Sequence, residues 1–194
     1  MDEDPEAQPG PLLDLLSEVL AVERDGQRLY SEFLADAPEP LQPKLLEYAE
    51  QTRRSVLTLE QAIREYGGDP GYVSPGAEVA HRLTEAVLEA TEGSPVRGWM
   101  YRLLHIVAFE VRDELVWETL RLMVLREDGP EADALERAVE ATQSGEAWGA
   151  HDQDRNRERI DWAREAMRDA IGAELGVERR EAWQVRLLRA LRGW

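Results

Sequence analysis

The sequence predicts an all-α protein of four long helices, with one long central crossover that carries a short helix and a short helix at the C-terminus. Three observations predict it. Leu12, Leu16, Val19, Glu23, Gly26, Tyr30 and Phe33 recur at alternating spacings of four and three, the seam of a packed helix. Helix-stopping clusters punctuate the chain: Pro38-Glu39-Pro40, Gly67-Gly68-Asp69-Pro70 and Gly129-Pro130. Between them the chain reads almost entirely as helix, and one connection is long enough to cross a whole bundle.

Each element follows from its local chemistry. Residues 1 to 10 form an acidic, proline-containing lead, expected to be disordered. The first long helix runs from about Pro11 to Ala37, with Pro11 suited to a first turn whose N–H has no partner. The second runs from about Gln42 to Tyr66 and closes on Gly67, where a helix needs a residue free of a Cβ penalty. Ser74 caps a short helix over about Pro75 to Ala90. The third long helix spans about Pro95 to Arg126. A short helix over about Glu131 to Thr142 leads past Gly145 and Gly149 into the fourth, about Ala150 to Ile171. The short loop makes the first two helices antiparallel neighbours, and the long connection before the third gives a ferritin-like arrangement rather than a simple up-down bundle. The domains are then 1–10, the acidic lead; 11–172, the four-helix bundle; and 173–194, a basic amphipathic C-terminal helix.

Composition narrows the function classes. The 194 residues suit one domain, and 43% are hydrophobic, enough for a core. There is no cysteine, which removes disulfides, thiolate zinc sites and cysteine nucleophiles. No apolar run approaches the roughly 20 residues of a membrane span. The N-terminus lacks the basic and apolar regions of a signal peptide, so a cytoplasmic location is expected. A net charge of −17 argues against nucleic acid as a partner, because a phosphate backbone is held by basic surface. The tail from Glu178 to Trp194 runs the other way, with five arginines against two glutamates.

The functional question sits in the core. Glu23 occupies the middle of the first seam, and Glu110 interrupts the apolar run Leu103-Leu104-His105-Ile106-Val107-Ala108-Phe109. An unpaired buried carboxylate costs several kcal/mol, roughly, so something must balance each. A di-iron bundle would do so with a glutamate from each of two helices and Glu-x-x-His from each of the other two, ligands that suit iron or manganese. Glu23 and Glu110 fit the single glutamates. The pairs do not follow. The second helix presents Leu45, Tyr48, Thr52, Ser55, Leu59, Ala62 and Tyr66, with Thr52 and Ser55 central. The fourth presents Asn156, Arg159 or Ile160, Ala163, Met167 and Ala170, with Asn156 and Arg159 central.

These residues resemble the rubrerythrin-related, di-iron carboxylate proteins of the ferritin-like superfamily. The resemblance covers most of residues 12 to 172. It rests on Glu23 through Tyr30, on Gln51 through Glu60 continuing into Gly67 through Pro75, on Glu110 through Glu118, and on Arg159 through Ala163. It implies the ferritin-like fold. It also implies histidine at positions like Ser55 and Arg159, and Glu114 matches a position where histidine occurs among relatives. The ligand set is therefore incomplete, and the resemblance counts against metal-dependent activity.

Three readings stay open. In one, Arg159 fills the vacated site, its planar guanidinium pairing with Glu23 and Glu110 while Thr52, Ser55 and Asn156 satisfy the remaining lone pairs. Two carboxylates and one arginine leave that network one negative charge over. In another, Arg159 reaches solvent and the glutamates lie at the bundle edge. In the third, Glu23, Glu110 and Glu114 still hold iron or manganese with waters. The first makes the protein a non-catalytic binding or oligomerising bundle without cofactor. The third makes it an oxidoreductase or iron-handling protein.

Other features are weaker. Glu78-x-x-His81 is the only Glu-x-x-His in the chain, lies off the bundle centre, and reads as an exposed pair. His105 and His151 are isolated, and no nucleophile elbow points to a Ser–His–acid triad. In the tail, Trp183, Leu187, Leu191 and Trp194 share one face while arginines, Arg186 among them, occupy much of the rest. Such a helix suits docking on its own acidic bundle, on a second subunit, on a membrane surface or on an acidic protein partner. A homo-oligomer, above all a dimer, is expected.

Overall fold

The computed structural model describes residues 10–91, 97–126, 133, 135–137 and 151–174. Five helices stand among them: α1 Pro11–Ala35, α2 Gln42–Glu65, α3 Pro75–Thr91, α4 Arg97–Val124 and α5 His151–Glu174. No strand occurs among the described residues, so the all-α class holds. The lead 1–9 and the tail 175–194, with Trp183, Arg186, Leu187, Leu191 and Trp194, lie outside the described residues. So does most of the short helix expected over 131–142.

The ends fall where backbone chemistry puts them. Pro11 opens α1 behind Gly10, which gives no side-chain cap. The helix stops at Ala35, two residues before the expected Ala37, because Pro38 disfavours helical geometry in the residue before it. At the end of α2, Gly67 takes φ 86°. Its N–H bonds Arg64 O at 3.0 Å and the Gly68 N–H bonds Ile63 O at 2.8 Å, the paired bonds of a left-handed C-terminal cap. Ser74 caps α3, its Oγ accepting the Ala77 N–H at 3.2 Å.

α1 packs on α2, α3 and α4, and α4 packs on α5 and α3. Two apolar clusters form the core. One gathers Leu12, Leu16, Val19 and Leu20 of α1, Val56, Leu59, Ala62 and Ile63 of α2, and Trp117, Leu120 and Val124 of α4. The other gathers Leu29, Tyr30 and Phe33 of α1, Leu45, Tyr48 and Ala49 of α2, Trp99, Leu103 and Ile106 of α4, and Ala163 of α5. Each fully buried large apolar side chain contributes about 1.5–3 kcal/mol, so both clusters hold the helices.

The membership of the clusters fixes the course of the chain. α1 runs from the first cluster to the second. α2 returns to the first. α3 carries the chain back, its Val87 and Leu88 reaching the second cluster. α4 then runs second to first, and α5 runs from Asn156 toward Ala163 in the second. α2 and α4 therefore point the same way, which requires the long crossover. α2 and α5 meet through side chains: Lys44 Nζ lies 2.7 Å from Glu158 Oε1, and the Tyr48 ring meets Trp162 edge-on at 5.3 Å.

The expected seams are largely buried as read. All seven α1 positions are buried, as are Leu45, Tyr48, Thr52, Ser55, Leu59 and Ala62 of α2. Gly26 leaves room there for the Phe109 ring, which a Cβ would approach to 2.7 Å at Cζ. On α5, Asn156, Arg159, Ile160 and Ala163 are buried, Met167 is half-buried, and Ala170 is exposed, correcting its assignment to the core.

Candidate functional site

Between the two apolar clusters lies a buried polar layer. Glu23, Thr52, Ser55, Glu110, Asp113, Asn156 and Arg159 are each no more than 2% exposed. They come from α1, α2, α4 and α5. Their periodicity carries them inward: Glu110, Asp113 and Trp117 continue the inner face of α4 at steps of three and four.

Arg159 is the centre of the layer. Its Nη1 lies 3.1 Å from Glu110 Oε1 and 3.3 Å from Oε2. Its Nη2 donates to Gln51 Oε1 at 3.0 Å and Thr52 Oγ1 at 3.5 Å. The rings of Tyr30 and Tyr48 stand 5.5 and 5.1 Å from the guanidinium carbon, within cation–π range. Burial opposes the charge on Arg159, but Glu110, Tyr30, Glu23 and Asp113 outweigh it and hold the guanidinium protonated beyond its usual range. Tyr30 donates a short hydrogen bond to Glu110 Oε1. Burial first, then the Glu110 charge, pushes the Tyr30 phenol well above its ordinary pKa. Burial pushes Tyr48 up as well.

Glu23 has a different set of partners. Trp117 donates its indole N–H to Glu23 Oε1 at 2.9 Å. Arg155 Nη2 lies 3.5 Å from the same oxygen and 3.4 Å from Asp113 Oδ2, and Nη1 donates to Ser55 Oγ at 3.2 Å. Asn156 Nδ2 donates to Asp113 Oδ2 at 3.2 Å. Among the described residues, three carboxylates face two guanidinium groups in this layer.

Several expectations are corrected. Arg159 pairs directly with Glu110; among the described residues the cation in direct contact with Glu23 is Arg155. Arg159 is 1% exposed, so it does not reach solvent, and neither glutamate lies at an edge. Thr52 and Ser55 accept from the two guanidiniums rather than serving the carboxylates. Glu114 is half-buried and takes no part; it flanks the inner seam, and Asp113 points inward instead. The residues that sequence reasoning missed are Gln51, Asp113, Trp117 and Arg155.

The carboxylates do not fit iron or manganese as arranged. Glu23 Oε1 and both Glu110 oxygens are met by guanidinium, indole and phenol hydrogens, and Glu114 is absent from the layer. Among the described residues no group of three or more histidine or acidic side chains is set to hold a metal ion.

The secondary candidates separate. Glu78 pairs with Arg82 rather than with His81. His81 turns to Asp25, with Nδ1 3.0 Å from Oδ1, so one exposed imidazole covers a buried carboxylate on α1. His105 is half-buried on α4, and burial lowers its pKa. The His151 side chain lies outside the described residues. No helix among the described residues is long and apolar enough to cross a membrane.

Comparison with known proteins finds no matching family model, no matching curated protein and no matching solved structure.

Proposed function

We propose that this chain is a ferritin-like four-helix bundle in which an arginine–carboxylate network stands where di-iron proteins of that superfamily hold metal, and that it acts by binding or oligomerisation rather than by metal-dependent catalysis. One observation carries the reading: the Arg159 guanidinium, 1% exposed, lies against Glu110, Gln51 and Thr52 at the level of the two seam glutamates. The course of α1, α2, α4 and α5, with α2 and α4 parallel across a long crossover, supports the ferritin-like part. A buried cation of fixed charge supports the metal-free part, since it repels a divalent ion at short range. The polar layer then ties α1, α2, α4 and α5 to one another, as buried polar groups can do to fix a register.

Metal content tests the reading. Protein purified without added metal or chelator, and again after Fe(II) or Mn(II) loading and desalting, should hold almost none. One or two tightly held ions per chain, lost in a Glu23→Ala/Glu110→Ala variant, would overturn it.

A further inference from the structure

α4 is apolar on two sides. Its inner seam, from Leu103 through Trp117 to Val124, fills the core. On the opposite side, Tyr101, Leu104, Val111, Leu115, Leu122 and Leu125 fall on a second heptad register. Each is between 42% and 65% exposed. Ala108 and Glu118, also exposed, complete the alternation of threes and fours from Tyr101 to Leu125. Twenty-four residue steps of helix make this seam about 36 Å long. A helix that is apolar all round needs cover all round, and an uncovered apolar stripe marks an interaction surface.

We propose that two copies of this chain associate through this face, α4 against α4 about a two-fold axis. Heptad spacing is the pattern by which one helix meets another, and a single polar residue in such a seam, here Glu118, fixes register. The rim is self-complementary in sign. Arg126 flanks the seam, while Glu114 lies beside it and Glu118 within it; Arg112, also nearby, is taken up by Glu18 of α1. The chain's own tail is a poorer occupant. Its apolar positions from Trp183 to Trp194 cover eleven steps, about 17 Å as helix and less than half the seam. An anionic membrane would meet a chain of net charge −17 around the face.

An association carried by an apolar seam should hold as salt rises, where one carried by charge would weaken. This proposal deepens the binding-or-oligomerisation reading by naming the surface and the partner, but it shares no side chain with the polar layer. A dimer that holds metal would sink the metal-free reading and leave this one standing.

Analytical ultracentrifugation of the full chain over a range of concentration and salt tests it. The expected result is a monomer–dimer equilibrium that persists as salt rises. Leu115→Glu with Leu122→Glu should give monomer with unchanged helical circular dichroism, since both side chains point away from the core. Should that variant lose helicity, Leu115→Lys alone should weaken the dimer at least tenfold with the fold intact. Trp183→Glu with Leu187→Glu should leave the dimer unchanged. A monomer at every concentration, a dimer that survives the folded seam variants, or a dimer lost in the tail variant would each overturn the proposal.

Discussion

Arg159 straddles Glu110 with a single nitrogen. Nη1 sits 3.1 and 3.3 Å from the two carboxylate oxygens, which leaves Nη2 to reach across to α2, where it meets Gln51 and Thr52. A parallel fork would have spent both terminal nitrogens on one carboxylate. The cation instead ties α5 to α4 and α2 at once, with Tyr30 of α1 donating to the same glutamate. A lysine could supply the charge but not two planar donors facing different helices.

Removing that cation leaves Glu110 buried without its charge partner. Arg159→Leu should therefore lower stability by about 3–5 kcal/mol. Urea denaturation at neutral pH measures the loss, and a change under about 1 kcal/mol would mean that the pair behaves as an exposed one.

The ends of the helices were legible in sequence because single residues dictate them. Gly67 and Ser74 act through their own backbone or side chain, with no need of a tertiary partner. The positions Glu23, Glu110, Asn156 and Arg159 were legible too, since periodicity alone puts them on inner faces. What was not legible is which partner each group takes. Arg155 lies one residue off the inner face, and its long side chain reaches back over Asn156 to Glu23 and Asp113. Asp113 did carry a signal: it stands three residues after Glu110 and four before Trp117, on the seam that Glu114 misses by one.

Trp117 offers a gentler probe of the same layer. Its indole N–H bonds Glu23 at 2.9 Å, and the ring is fully buried. Trp117→Phe keeps much of the apolar surface and deletes the donor. The expected cost is about 1–3 kcal/mol, that of a hydrogen bond to a charged group, plus a share for the smaller ring. If the thermal midpoint does not move, the indole bond contributes nothing to the fold.

The two arginines should differ in their effect. Arg155 is 15% exposed at its side chain against 1% for Arg159. Glu23 also keeps the Trp117 donor when Arg155 is lost. Water can reach the gap left by Arg155 more readily than one left by Arg159. Arg155→Leu should therefore cost clearly less than Arg159→Leu in matched urea titrations. The reverse order would show that Glu23 and Asp113, rather than Glu110, are the costly charges.

The buried phenols predict how the fold responds to alkali. Tyr30 and Tyr48 both hold their protons more tightly folded than unfolded, through burial and, for Tyr30, the adjacent Glu110. Their contribution is complete below the ordinary phenol value of about 10 and drains away as pH rises through that value toward the raised folded ones. Phenolate absorbance should show these two of the five tyrosines titrating only as the helical signal is lost. Ionisation of all five while the protein stays helical would contradict the burial of this pair.

The last prediction separates the cost of an orphaned charge from the worth of the pair. Glu110→Leu with Arg159→Met removes both charges and replaces them with apolar groups of similar reach. Buried ion pairs replaced in this way often leave stability unchanged or raised, because the desolvation of both ions is no longer required. The double variant should thus recover most of the loss seen in Arg159→Leu. It should not recover all of it, because the Tyr30 hydroxyl loses its acceptor, at about 1–3 kcal/mol for a buried donor left unmade. Adding Tyr30→Phe should return the Tyr30 share, leaving the cost of Gln51 and Thr52 without their Arg159 donor. If the triple variant is still as unstable as Arg159→Leu, the layer holds the helices by shape rather than by charge. Its charges are then not what the rest of the core is built to accommodate.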